Sequence, residues 1–294
     1  MQTSQDITSR QPGWVVFEMP RARQEPGPTG GFERSISEEL IGAQLMSAGQ
    51  QAIQDLEDLR LVSAHLFPQN LPQLAGIGYA GVCIEARQAG GDFYDFFHRG
   101  QHRLGLAIGD VSGKGVASAL LRAALQASLR TADWMGVYDF ERSLTLANRL
   151  LLESAPEAMY ASLFFAEYDE LRGCLRYVNC GHPGPLVLRG DRASWLQPTA
   201  TVLGLFQDWQ CSIAEVYLQP GDTLLLYTDG ITEATDAAGE EFGRDRLVAL
   251  LKESRNLPAS VLLQECLNDV RRFSRGNSCD DLTLVALRCL ERER

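Results

Sequence analysis

Between Ser35 and about Leu66 turn-forming residues are sparse, and Leu40, Ile41, Leu45, Ile53, Leu56, Leu59 and Val62 recur at roughly helical spacing. The pattern predicts a long amphipathic helix ending near Pro68. Gly42, Gly49 and Asp55 interrupt a clean heptad seam, which favours a docking helix over a stable coiled coil. Packing on its own domain, and dimerisation or regulation through this helix, are both compatible with that pattern. Beyond Leu74 short β-rich runs take over, each bounded by turn residues: Gly78 to Ile84, Leu104 to Gly109, Ala161 to Tyr168, Cys174 to Asn179, Pro185 to Leu188, Ile213 to Leu218, Thr223 to Tyr227 and Leu282 to Arg288. Helical stretches lie between them. Val116 to Arg130 is apolar nearly all round and predicts a buried helix, whereas Phe140 to Leu152, Arg244 to Lys252 and Pro258 to Phe273 are amphipathic. Strands outnumber the crossover helices a parallel sheet needs, so the expected class is α+β, with antiparallel sheets covered by helices.

Residues 1–34 are rich in Pro, Gly, Gln and Arg and read as an irregular arm. The organisation is therefore arm 1–34, linker or regulatory helix 35–68, and a catalytic domain 69–294. The chain has 294 residues, 45% of them hydrophobic, which is enough to bury a core without disulfide or metal staples. Its net charge of −11 disfavours nucleic acid or an anionic membrane as the main partner. The seven cysteines are scattered singly, with no C-x-x-C pair, so neither a zinc site nor a disulfide framework is indicated. No run reaches the about 18 apolar residues of a membrane span, and the N-terminus lacks the regions of a signal peptide. A cytoplasmic protein is expected.

Four aspartate positions share one local setting, at the end of an apolar strand-like run or in a glycine turn beside one. They are Asp92 in Gly90-Gly91-Asp92, Asp110 after Leu106-Ala107-Ile108-Gly109, Asp229 after Leu226-Tyr227-Thr228, and the pair Asp280-Asp281 before Leu282. An ionised carboxylate at the edge of a core strand is costly unless its charge is compensated, and a bound cation compensates it. Mg²⁺ and Mn²⁺ take oxygen ligands and keep several waters, so a few carboxylates from separate strand ends suffice. An Asp-Gly taken alone after a strand is more often a turn or a helix cap than a metal ligand.

Taken together, the ordered runs Gly90-Gly91-Asp92-Phe93-Tyr94-Asp95, Gly109-Asp110-Val111-Ser112-Gly113-Lys114-Gly115, Asn179-Cys180-Gly181-His182-Pro183, Leu226-Tyr227-Thr228-Asp229-Gly230-Ile231-Thr232-Glu233 and Asp280-Asp281-Leu282-Thr283-Leu284 resemble the bacterial SpoIIE-like phosphatases. These are metal-dependent relatives of protein phosphatase 2C. The resemblance covers about Leu59 to Leu290. It implies an αββα sandwich, two antiparallel sheets face to face with a helical pair on each outer side, preceded by the N-terminal helix. It also implies a protein serine/threonine phosphatase using two Mn²⁺ or Mg²⁺ ions, with a third left open. Asp92 and Asp110 would hold the ion pair with the Val111 carbonyl, and Asp229 would complete the site with Asp280 or Asp281, Asp280 matching the related pattern better. The implied partner is a phosphorylated protein, a small anti-sigma-factor antagonist, with a homodimer or regulatory partner engaged through the helix. A degenerate, non-catalytic binder is the alternative, and a hydrolase of small phosphoesters is a second.

Other residues carry weaker signals. His182 reads as a turn residue rather than a general acid, and Asp95 is open between a water-mediated metal contact and a turn cap. Lys114 suggests a phosphate loop, but only three residues separate Gly109 from Gly113 and Gly115 follows the lysine, so the nucleotide-binding spacing fails. Gln88 stands where many relatives have Glu, Cys180 where they have Ala. No arginine matches the phosphate-gripping residue of the eukaryotic relatives.

Overall fold

The structure is a computed structural model that describes residues 32–69, 71–156, 158–276 and 280–290, with side chains from residue 44 onward. The predicted arm lies almost wholly outside the described residues, as does Cys279. The chain divides into two compact units, Met1–Gln51 and Ala52–Arg294. Helix α1 (Phe32–Leu66) opens the described chain, and its last turns belong to the second unit. In that unit Leu56 and Leu59 are half-buried, but Ile53 and Val62 stay exposed, so the apolar positions of α1 do not form one buried face.

The second unit continues with β1 (Ile77–Ile84), β2 (Phe93–His98), β3 (Arg103–Val111), α2 (Val116–Trp134), α3 (Phe140–Ser154), β4 (Ala161–Asp169) and β5 (Cys174–Cys180). There follow β6 (Leu186–Arg189), β7 (Arg192–Trp195), β8 (Ala214–Tyr217), β9 (Thr223–Tyr227), the single turn α4 (Asp229–Thr232), α5 (Gly243–Glu253), α6 (Ala259–Phe273) and β10 (Leu282–Cys289). Two five-stranded sheets form, ordered β1-β10-β9-β6-β7 and β2-β3-β4-β5-β8, and every strand pairing is antiparallel. The α+β sandwich expected from the sequence is the fold observed.

Three apolar layers explain the runs that read as continuously hydrophobic. Leu104, Leu106 and Ile108 of β3 meet Leu224 and Leu226 of β9 and Val285 and Leu287 of β10 between the sheets. The alternate residues Leu225, Tyr227, Leu284 and Ala286 pack outward on α5 and α6. Phe93, Ala107, Leu163 and Phe165 pack on α2 and α3 on the other side. Each central strand is thus buried on both faces, which erases the alternation of a half-exposed strand. Burying one such Leu or Phe side chain stabilises by about 1.5–3 kcal/mol.

Helix α2 departs from its expected character. Val116 and Leu120 are 48% and 62% exposed, while the polar Ser118, Arg122 and Gln126, spaced four apart, are buried. A helix read as apolar all round therefore buries a polar stripe. The reason is the end of α1: Gln126 and Arg130 both donate to the Leu66 carbonyl, and Arg122 reaches Ser63.

Candidate functional site

Strand alternation decides which carboxylates meet. Leu104, Leu106 and Ile108 of β3 face between the sheets, so Asp110, two residues on, continues that inner face at the strand end. Thr228 after β9 and Asp281 before β10 have the same parity as the inner Leu226 and Val285, and Asp92 that of the inner Phe96. The predicted positions Asp92, Asp110, Asp229, Asp280 and Asp281 therefore gather at one open end of the space between the sheets. Asp229 enters as the first residue of α4.

The loop carrying Asp92 is pressed against its neighbours. The Val111 amide donates to the Gly91 carbonyl at 3.2 Å. A Cβ on Gly91 would lie 2.3 Å from the Val111 carbonyl oxygen and 2.9 Å from Asp110 Oδ1, and one on Gly90 would lie 1.7 Å from Asp281 Oδ2. Only glycine admits this approach. The same cradle aims the Val111 carbonyl and the Asp110 carboxylate at one region, a donor set of hard oxygens that suits Mg²⁺ or Mn²⁺. Gly91→Ala is expected to destabilise the fold by about 1–3 kcal/mol through overpacking, visible as a lower urea midpoint. A wild-type midpoint would show that the loop is not held this tightly.

Charge crowding is the main electrostatic feature. Burial, then the charges of Asp229, Asp280 and Asp281, push the Asp110 carboxyl up to about 7, with Lys114 opposing. Burial and the Asp110 charge hold Asp92 well above the carboxylate range, against hydroxyls from Thr283 and Thr228, the latter donating to Asp92 Oδ2 at 2.7 Å. Asp229 is raised by burial and Asp280. Asp281 is raised by burial although the Ala86 and Asp92 amides donate to its two oxygens, at 2.8 and 3.4 Å. Asp280 is more exposed and accepts from the Lys114 ammonium at 3.0 Å. Among the described residues no three His, Cys, Asp or Glu side chains close on a single ion position.

Several sequence signals resolve differently. Asp95 lies within β2, shares the outward parity of Phe93 and Phe97, lies under α2, and pairs with Arg130 Nε at 2.6 Å, facing away from the inward Asp92. His182 is buried; its amide donates to Asn179 Oδ1 and its Nδ1 meets Ser162 Oγ at 2.9 Å. Burial pulls its imidazole down to about 3, so it is neutral rather than an imidazolium acid at physiological pH. The described cysteines are all unpaired with one another.

One element escaped the sequence reading. The fully buried Arg122 donates through Nη1 to Glu85 Oε1 at 2.8 Å and to the Asp92 carbonyl at 3.0 Å, and through Nη2 to Ser63 Oγ at 2.6 Å. Glu85 Oε1 also accepts from Ser63 Oγ and the Gly90 amide. The Asp92 loop is thereby anchored to α2 and the end of α1. The available sequence signal was an arginine among the apolar residues of a mostly apolar helix.

The helix-covered double antiparallel sheet is a fold shared with solved protein phosphatase 2C domains. The SiaA-PP2C domain of Pseudomonas aeruginosa matches it with a TM-score of 0.71 at 21% identity, over 83% of this chain and 98% of that one. Phosphoserine phosphatase RsbU of Bacillus subtilis is 26% identical over 241 residues, 81% of this chain and 71% of RsbU. Protein IcfG of Synechocystis sp. is 28% identical over 263 residues, 79% of this chain but only 41% of IcfG, so this chain spans less than half the length of that relative. The Stage II sporulation protein E (SpoIIE) family model matches residues 100–290, and the chain belongs to that family. Among the described residues no helix is long and apolar enough to cross a membrane.

Proposed function

We propose that the chain hydrolyses phosphoserine or phosphothreonine on a partner protein, using Mn²⁺ or Mg²⁺ held by Asp92, Asp110, Asp229 and Asp280 with the Val111 carbonyl. The observation that carries this reading is the crowd of desolvated carboxylates whose charges raise one another's pKa values, an arrangement that only added positive charge makes favourable. Divalent cations at these oxygens supply an acidified water and neutralise a phosphoryl group. Asp280 suits the ligand role better than Asp281. Both oxygens of Asp281 are engaged by backbone amides and frame the Asp92 loop, whereas Asp280 Oδ2 meets a lysine ammonium that a cation can replace. Arg122 and Glu85 hold the loop in place, and His182 is structural.

The family and the resemblance to phosphoserine phosphatase RsbU support a phosphoprotein substrate, and a small anti-sigma-factor antagonist in the cytoplasm is the partner we infer. Regulation or dimerisation would act through α1, whose final turns contact the Asp92 anchor through Ser63. The deciding experiment is Mn²⁺-dependent phosphate release from a phosphoserine peptide, compared with p-nitrophenyl phosphate and free phosphometabolites. Release from the peptide that stops with EDTA is expected. Metal binding by calorimetry without hydrolysis would instead identify a non-catalytic binder, and preference for metabolites a small-molecule hydrolase.

A further inference from the structure

A cleft of about 500 Å³ runs from the aspartates toward the outer helical layer. Asp110 and Asp229 line one end, and Glu233, Tyr227, Trp195 and Arg244 continue it. A phosphoserine side chain fills only part of such a space, which is the size of sites for ligands of several residues. Asp110 reaches the cleft from the sheet containing β3, whereas Arg244 reaches it from the first turn of α5, on the outer side of the other sheet. The two therefore mark different ends.

The Arg244 end carries the positive charge of the cleft. Arg244 is the only permanently cationic residue lining the cleft, and no carboxylate pairs with it among the described residues. Its guanidinium lies 5.9 Å from the Trp195 ring centroid, which fixes it over the aromatic face. The Tyr227 hydroxyl and the Trp195 indole nitrogen are both sealed from solvent, with the indole and the Arg244 guanidinium lying against the phenol oxygen. The exposed guanidinium is the donor that reaches an incoming ligand here, and an anionic oxygen is the group that suits it. Glu233, raised by burial and by the Asp229 charge, belongs to the acidic end, where the scissile phosphate would meet the cations.

We propose that this cleft seats the polypeptide flanking the phosphorylated residue, and that Arg244 selects substrates by pairing with a Glu or Asp carboxylate on that flank. The proposal rests on the phosphatase reading above. It gives this chain a cationic substrate contact distinct from the missing phosphate-gripping arginine.

The test titrates the full chain, with Mn²⁺, against fluorescein-labelled short peptides carrying a non-hydrolysable phosphonate analogue of phosphoserine. The flanking positions are glutamate, glutamine or lysine. Wild type is expected to bind the glutamate peptide about fivefold more tightly than the glutamine peptide, the scale of a partly exposed ion pair. Arg244→Gln should erase that ratio, Arg244→Lys keep part of it, and Arg244→Glu shift preference to the lysine peptide. Equal wild-type affinities, no binding of any peptide, or a preference that survives Arg244→Gln would overturn the proposal. Failure of the phosphatase reading appears separately, as wild type that shows the preference but hydrolyses none of the matching phosphoserine peptides.

Discussion

Replacing Asp110 with Asn is expected to lower kcat/KM on a phosphoserine peptide by about a thousandfold and, in metal-free protein, to raise the melting temperature. The opposite signs come from one cause. Burial and the charges of Asp229, Asp280 and Asp281 raise the Asp110 carboxyl from the ordinary 3.8 to about 7. A raised carboxyl favours the folded state below the unfolded pKa and loses that advantage as pH rises through the folded one. Metal-free stability should therefore fall between pH 4 and 7, and Asn should flatten that fall, gaining about 1 kcal/mol near neutrality. With saturating Mn²⁺ the order reverses, because only the wild type keeps the full stabilisation of a ligand bound to its folded state. Melting curves at pH 5 and 8, with EDTA and with Mn²⁺, read both effects. A metal-free variant no more stable than wild type, or one that retains activity, would remove Asp110 from the proposed site.

That pairing of effects also shows what the sequence could and could not disclose. The aspartates were legible because each lies at the end of an apolar run or in a glycine turn beside one and their joint order resembles the SpoIIE-like pattern, and strand parity alone would send Asp110 and Asp281 inward once the inner face of the strands is known. The same parity sends Asp95 outward to Arg130, a distinction that proximity to Asp92 in the chain obscured. Strand β2 went unrecognised because Phe93–His98 holds no β-branched residue and carries an aspartate at its centre. Strand β7 is a four-residue edge piece of alternating exposure, and α4 is one turn, too short to express a helical period. The N-terminal half of α2 misled in another way: Val116 and Leu120 look like core but face solvent, while Arg122 looks like surface but is fully buried. Its partners Ser63 and Glu85 lie far away in the sequence, 59 and 37 residues respectively, and outside every recognised motif. Such a contact is set by tertiary packing, which no local pattern encodes.

Arg122→Met is accordingly expected to cost about 3 kcal/mol, a large effect for one substitution. The guanidinium has no access to water, and its Nη atoms satisfy Glu85, Ser63 and the Asp92 carbonyl at once. Methionine fills much of the volume but leaves the Glu85 carboxylate, whose side chain is 13% exposed, without its countercharge. Lysine should not restore stability, since a single ammonium cannot span three acceptors that a planar fork reaches in fixed directions. Removing both charges, with Glu85→Leu added to Arg122→Met, should recover part of the loss, because two apolar groups leave nothing buried and unpaired. A double-mutant cycle in urea gives the coupling directly. Because Arg122 and Glu85 also hold the Asp92 carbonyl and the Gly90 amide, the single variant should weaken Mn²⁺ binding about tenfold as well. A stability loss without any change in metal affinity would mean that the Asp92 loop keeps its shape unaided, and that the anchor serves only to fasten the end of α1 to α2.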